Sequence, residues 1–171
     1  DVAAEPVPAR TAPRSGRNVP LATAVGLLLA GVVAGSLYLD PALFAGVAAV
    51  AAVVGTWELS AALHPAGVRV PLPPSVVGGA ATVLAAFAIG ADGLLAGFAL
   101  TCATVVAWRA VEPEEGFVRD AAAGIFCAAY VPLLLGFGML LVREDDGPAR
   151  VVATVLLVVC SHTGGFFVGS R

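Results

Sequence analysis

Long uncharged apolar runs dominate this chain, and short clusters of charged residues separate them. Of its 171 residues, 59% are hydrophobic and only 12% are charged, whereas soluble domains carry about a quarter charged residues. A soluble fold of this length needs polar side chains over most of its surface, and these runs do not supply them. The pattern therefore excludes an ordinary soluble domain and indicates that lipid surrounds most of the chain.

The apolar runs predict membrane-spanning helices, because crossing about 30 Å of hydrocarbon takes roughly 20 residues. We expect an all-α fold, a polytopic bundle of about six transmembrane helices within residues 21–171. The spans are predicted at about 21–39, 42–63, 75–89, 94–108, 121–142 and 151–168. Residues 1–20, rich in Ala, Pro and Arg, are expected to be a disordered cytosolic tail. Small residues dominate most spans and favour close helix packing, which makes a homo-oligomer plausible.

The arginines predict the orientation, since positively charged loops stay on the cytoplasmic side of a membrane. With the N-terminus inside, seven of the nine cationic residues are cytoplasmic, and only Arg143 and Arg150 lie outside. We therefore expect a multi-pass protein of the cell inner (plasma) membrane with a cytoplasmic N-terminus. No basic patch is present, so we expect no nucleic-acid partner.

Two charged features are candidates for chemistry. Glu58, beside Trp57, lies inside an apolar run and is a possible intramembrane polar site, since ionisable groups there are often functional. Alternatively, Glu58 is hydrated at the interface and Trp57 anchors it there. The segment 109–120 holds six charged residues and is expected to be a solvated loop, although its carboxylates could bind a cation.

The three cysteines fit neither a disulfide framework nor a paired-cysteine metal site, and we interpret them as small buried residues. They are Cys102, Cys127 and Cys160. A more unusual stretch is 161–165, Ser-His-Thr-Gly-Gly, which interrupts the sixth run near its cytosolic end. Glycines permit close approach to a ligand and hydroxyls donate hydrogen bonds. Small polar residues also mediate helix packing, so spacing alone leaves both interpretations open.

This stretch, within residues 158–166, resembles the Ser-Asp-Thr-Gly-(Gly/Ala)-(Tyr/Phe) segment of phosphatidate cytidylyltransferases, the CDP-diacylglycerol synthases of bacterial membranes. Further segments resemble the actinobacterial type of that family: 16–20, 55–59, 67–71, 119–120 and 130–132. The resemblance covers residues 16–171. It implies a nucleotidyltransferase that transfers CMP from CTP to phosphatidate, giving CDP-diacylglycerol and pyrophosphate in phospholipid biosynthesis.

The resemblance also implies the site and its ligands, with CTP and phosphatidate as partners and Mg²⁺ as cofactor. It implies a place beside the substrate for four residues: Ser161, Thr163, Gly164 and Gly165. His162 stands where the family has an Asp that helps to hold the metal. A neutral imidazole supplies one nitrogen and no charge, whereas Mg²⁺ prefers oxygen ligands, so His162 argues against metal binding at that position.

The family's C-terminal signature, a Lys/Arg- and Asp-rich stretch with His-Gly-Gly and a closing Asp-Arg, is not found in this sequence. We therefore expect a bundle that is incomplete relative to the family, catalytic residues in a C-terminal half, and a chain that is inactive alone. The alternative is a catalytically inactive truncated paralogue that acts as a lipid-binding or structural membrane protein. A transporter or channel subunit would need more intramembrane charges than Glu58.

Overall fold

The computed structural model of the chain describes residues 19–112 and 115–169, so the predicted tail lies almost entirely outside the described residues. Within those ranges the chain is helical and contains no β-strand. The α-helices are α1 (Val19–Leu39), α2 (Pro41–Leu63), α3 (Leu72–Ile89), α4 (Ala91–Val111), α5 (Phe117–Ala128), α6 (Leu134–Val142) and α7 (Gly147–Gly169). A 3₁₀ turn follows α2 at His64–Ala66, and a π-helical turn at Ala129–Leu133 joins α5 to α6.

The chain divides into two units, residues 1–32 and residues 33–171, and the boundary falls within α1. Five stretches of the second unit are long and apolar enough to cross a membrane. They are Pro41–Ala66, Leu72–Ile89, Ala91–Val111, Phe117–Val142 and Gly147–Gly165. Thr23–Leu39 is a shorter apolar helix. The predicted fold class, an all-α polytopic membrane bundle, is therefore confirmed.

Local sequence accounts for where two of the helices begin or bend. Asp40 caps α2, since its Oδ1 accepts a hydrogen bond of 2.7 Å from the backbone N–H of Ala42. Pro41 takes the first helical position, where its missing N–H costs nothing. Pro132 lies inside the π-helical turn, and its missing N–H explains why the regular helix is interrupted there.

In the second unit, α3 packs against α2, α4 and α6. The hydroxyl groups of Thr82 on α3 and Thr101 on α4 lie 3.2 Å apart, and both residues are buried. Gly97 makes this approach possible, because a Cβ there would lie 2.9 Å from the Cα of Thr82. Small and hydroxyl side chains thus bring two helices close together, as expected for packing within lipid.

The links between helices meet in pairs at two ends of the second unit. The segment after α2 contacts the start of α5, since the backbone N–H of Arg69 donates to Oδ1 of Asp120 at 3.1 Å. At the other end, Nη1 of Arg143 after α6 donates to the carbonyl oxygen of Phe87 near the end of α3. We call the first of these ends, formed by the described residues of 64–71 and 109–120, the charged end.

Candidate functional site

An ion pair at the charged end is buried in the protein. Arg109, in the last turn of α4, is 1% exposed, and Asp120, in the first turn of α5, is fully buried. Nε and Nη2 of Arg109 donate to Oδ2 of Asp120 at 3.2 and 3.1 Å. The prediction that residues 109–120 form a solvated loop is wrong for this pair. Helices α4 and α5 extend beyond the predicted spans and carry both residues into a packed helix junction.

The carboxylate of Asp120 joins three segments of the chain. Its Oδ2 accepts from α4 through Arg109, and its Oδ1 accepts from the backbone N–H of Arg69 in the link after α2. The same Oδ1 accepts a hydrogen bond of 3.1 Å from Nε of the neighbouring Arg119. A buried carboxylate is tolerated only when it is paired in this way, so Asp120 fixes the relative positions of these segments.

The guanidinium of Arg109 is satisfied by further partners on the link between α4 and α5. Its Nη1 lies 3.0 Å from Oε2 of Glu112, and its Nη2 donates to the backbone carbonyl of Glu115 at 3.0 Å. The other oxygen of Glu112 accepts from the indole Nε1 of Trp108 at 2.9 Å. Arg109 therefore holds this link against the end of α4.

The side chain of Arg119 is 55% exposed and lies between two glycines with positive φ angles. A Cβ at Gly116, whose φ is +94°, would lie 2.9 Å from Nη2, and a Cβ at Gly67, whose φ is +76°, would lie 3.8 Å from Nη1. Glycine suits both the backbone conformation and the space beside Arg119. Within the part of the chain that the structure describes, Nη1 and Nη2 of Arg119 form no hydrogen bond, so both remain available to a ligand.

A cavity of about 470 Å³ opens beside this guanidinium. It is lined by His64, Gly67, Arg69, Glu115 and Arg119. Two smaller cavities of about 360 and 310 Å³ share Arg69 and His64 with it, and the exposed side chains of Trp108 and Trp57 line them. Exposed tryptophans are typical of the membrane–water interface, so we expect this cavity to lie near the membrane surface.

The stretch 161–165 lies in a different environment, on the last turns of α7. All five of its residues are exposed, and Nδ1 of His162 lies 2.9 Å from the carbonyl oxygen of Val158 one turn earlier. A Cβ added at Gly164 or Gly165 would have nothing within 4 Å. The described residues therefore pack no site around Ser161, Thr163 or their neighbours.

Two other sequence candidates lie apart from the buried ion pair. Glu58 is exposed on α2 beside Trp57, which is itself 56% exposed. Among the cysteines, Cys127 is buried and Cys102 is half-buried, whereas Cys160 is exposed. The interpretation of all three as buried is wrong for Cys160, because the second half of α7 lies outside the packed core.

The side chains present do not by themselves fit a magnesium site. Within residues 19–112 and 115–169, no three His, Cys, Asp or Glu side chains form a group that could hold a metal. The stretch 161–165 offers hydroxyls and one imidazole, whereas Mg²⁺ takes carboxylate oxygens and substrate phosphates. The carboxylates of Asp120 and Glu112 are already paired with Arg109.

The sequence did contain a signal for the charged end. Two of the segments that resemble the phosphatidate cytidylyltransferases, 67–71 and 119–120, meet here through the hydrogen bond between Arg69 and Asp120. The sequence separates the two residues by 51 positions, and no local pattern joins them. Contact between segments of shared resemblance marks Arg69, Arg119 and Asp120 as candidates, and Arg109 joins them because it pairs with Asp120.

Comparisons with known proteins agree with this resemblance. The cytidylyltransferase family matches residues 21–171. A phosphatidate cytidylyltransferase of Mycobacterium leprae is 36% identical over 176 residues, which cover 94% of this chain and 56% of that protein. Those of Mycobacterium bovis and Mycobacterium tuberculosis H37Rv are each 33% identical over 175 residues, covering 95% of this chain and 57% and 53% of theirs. No solved structure matches the chain.

The match to nearly all of the apolar region shows that this chain belongs to the cytidylyltransferase family. Among its relatives are the mycobacterial proteins named phosphatidate cytidylyltransferase. The chain spans about half the length of these curated relatives.

Proposed function

We propose that the protein to which this chain belongs is a phosphatidate cytidylyltransferase, which makes CDP-diacylglycerol and pyrophosphate from CTP and phosphatidate. The observation that carries this proposal is the 36% identity to a mycobacterial phosphatidate cytidylyltransferase over 94% of the chain. The alternative, a truncated paralogue with only a lipid-binding or structural role, has no comparable support.

The reaction is a nucleotidyl transfer. A phosphate oxygen of phosphatidate forms a bond to the α-phosphorus of CTP, the bond from that phosphorus to the bridging oxygen breaks, and pyrophosphate leaves. We propose that Ser161, Thr163, Gly164 and Gly165 lie beside the substrate, as the resemblance implies. The described residues hold no arrangement that performs the transfer by itself.

A divalent cation is part of the proposal, with Mg²⁺ as the candidate. When bound, such a cation would supply positive charge beside the phosphates of the substrates. The donor set of 161–165 argues against metal binding by these residues alone, since His162 offers an imidazole nitrogen where the resemblance implies a carboxylate. Carboxylates from outside this stretch are required as ligands.

The membrane and the orientation are proposed from the arginines. In the predicted topology, seven of the nine arginines lie on the same side of the membrane as the N-terminus. This distribution favours a cytoplasmic N-terminus in the plasma membrane. That orientation puts the charged end in the cytoplasm, where CTP is available. We also propose a homo-oligomer, since the glycine- and alanine-rich helices permit close packing between copies.

The test uses the full-length protein in vesicles that contain phosphatidate, with labelled CTP and Mg²⁺. We expect labelled CDP-diacylglycerol together with one pyrophosphate per product. Vesicles in which phosphatidylglycerol replaces phosphatidate are the matched control, because that lipid lacks a terminal phosphate monoester. A folded, membrane-inserted protein that forms no labelled lipid from phosphatidate would contradict the proposed function.

A further inference from the structure

We propose that the cavity at the charged end binds a phosphate group of one of the two substrates, through Arg119 and Arg69. The inference rests on the proposed function for the identity of the substrates. It rests on the geometry for the site itself: a cavity of about 470 Å³ with two guanidinium groups and an imidazole in its lining.

Arg119 is positioned to present its terminal nitrogens to a ligand. Its Nε is held by Asp120, which is fully buried and is fixed in turn by Arg109. The rest of the guanidinium lies beside Gly67 and Gly116, where no side chain competes for the space. A guanidinium presents its N–H groups in a planar fork that matches two phosphate oxygens. The buried ion pair between Arg109 and Asp120 therefore orients the guanidinium of Arg119 toward the cavity.

The arginines that line the cavity favour an anionic ligand. The buried carboxylate of Asp120 is paired with Arg109, so it does not repel a ligand in the cavity. Among the described residues that line the cavity, Arg69 and Arg119 are cationic and Glu115 is anionic. The carboxylate of Glu115 opposes a phosphate in the cavity, so its removal is expected to change phosphate binding in the opposite direction to removal of an arginine.

The location matches the phosphates of both substrates. Trp57 and Trp108 are 56% and 44% exposed and line the adjoining cavities, as expected for residues at the membrane surface. The phosphate of a lipid lies at that depth, and the triphosphate of a soluble nucleotide reaches it from the water. The shared chemistry is a phosphate group, and kinetics distinguish its two sources.

The experiment measures KM for phosphatidate and for CTP in the full-length enzyme and in two variants, Arg69→Gln and Arg119→Gln. Arg69→Gln removes the guanidinium and keeps the backbone N–H that donates to Oδ1 of Asp120. Losing one charged hydrogen bond raises KM about tenfold. A higher KM for phosphatidate assigns the cavity to the lipid head group, and a higher KM for CTP assigns it to the nucleotide. Unchanged KM values for both substrates would overturn the inference.

Two further variants separate a local effect from a general one. Glu115→Gln keeps the backbone carbonyl that Arg109 contacts. It is expected to lower, severalfold, the KM that the arginine variants raise. Arg150→Gln, an exposed arginine in α7 that pairs with Asp146, is the matched control and should leave both KM values unchanged. A Glu115→Gln variant that raises the KM would contradict a phosphate in this cavity.

The experiments distinguish a failure of the proposed phosphate site from a failure of the proposed function. An inactive full-length wild-type protein contradicts the proposed reaction, and the site is then tested by binding of CTP and of phosphatidate-containing nanodiscs. Weaker binding of one of them by Arg119→Gln supports the site without the reaction. Equal binding of both by wild type and variant overturns it.

Discussion

The two polar regions of this chain differ in how much of the protein surrounds them. At the charged end, Arg109 and Asp120 are buried, and hydrogen bonds join them to segments from three parts of the chain. On α7, all five residues of the stretch 161–165 are exposed. The resemblance implied substrate-binding residues in the second region, whereas packing singles out the first. A motif can identify a family without being the part that the fold organises most tightly.

The largest expected effect comes from removing the buried carboxylate. Asp120→Asn leaves Arg109 without its buried charged partner and paired with the partly exposed Glu112, and we expect a loss of about 2 to 4 kcal/mol in the free energy of unfolding. Thermal unfolding in detergent measures it. The matched control is Asp146→Asn, whose carboxylate is 61% exposed and should change stability by less than about 0.5 kcal/mol. Equal effects of the two substitutions would contradict the claim that burial makes the Asp120 pair important for stability.

A smaller effect is expected from adding one methyl group at each region. Gly116→Ala is expected to destabilise the protein by about 1 to 3 kcal/mol, because φ is +94° and the new Cβ would lie 2.9 Å from Arg119. Gly164→Ala on α7 has nothing within 4 Å and should be neutral or slightly stabilising. The same unfolding assay compares the two, and a Gly116→Ala protein as stable as Gly164→Ala would contradict the close contact at Arg119.

The smallest effect on stability is expected at His162. His162→Asp should change the free energy of unfolding by less than about 0.5 kcal/mol, since the residue is exposed. It should raise the CTP-dependent activity of the full-length protein, because a carboxylate is a better ligand for Mg²⁺ than an imidazole. His162→Asn is the control, because Asn has nearly the shape of Asp but carries no charge. An equal rise with Asn, or no rise with Asp, would count against a metal-binding role for this position.

The fold class could be predicted because the features that indicate it lie in short, continuous stretches of the sequence. Apolar runs of helical length between charged clusters are enough to predict a polytopic helical protein. The predicted boundary between the spans 21–39 and 42–63 matches the structure, in which Asp40 is the N-cap of α2. Resemblance over residues 16–171 also predicted the family, which the match to 21–171 confirms.

The charged end could not be predicted in the same way. A charged residue beside an apolar run looks the same in sequence whether it is hydrated or buried against a partner. Asp120 is buried because Arg109 and the backbone of Arg69 reach it from other segments, and that information is tertiary. Exposure of Cys160 was missed for the same reason, since composition does not say which helix packs into the core.

The most direct test of this account is a double-mutant cycle on the buried pair, measured as the free energy of unfolding in detergent. The variants are Arg109→Gln, Asp120→Asn and the two combined. Residues that share a buried hydrogen-bonded pair are coupled by about 0.5 to 3 kcal/mol, and we expect a value in the upper half of that range. Effects that add within about 0.5 kcal/mol would contradict the claim that this pair organises the charged end.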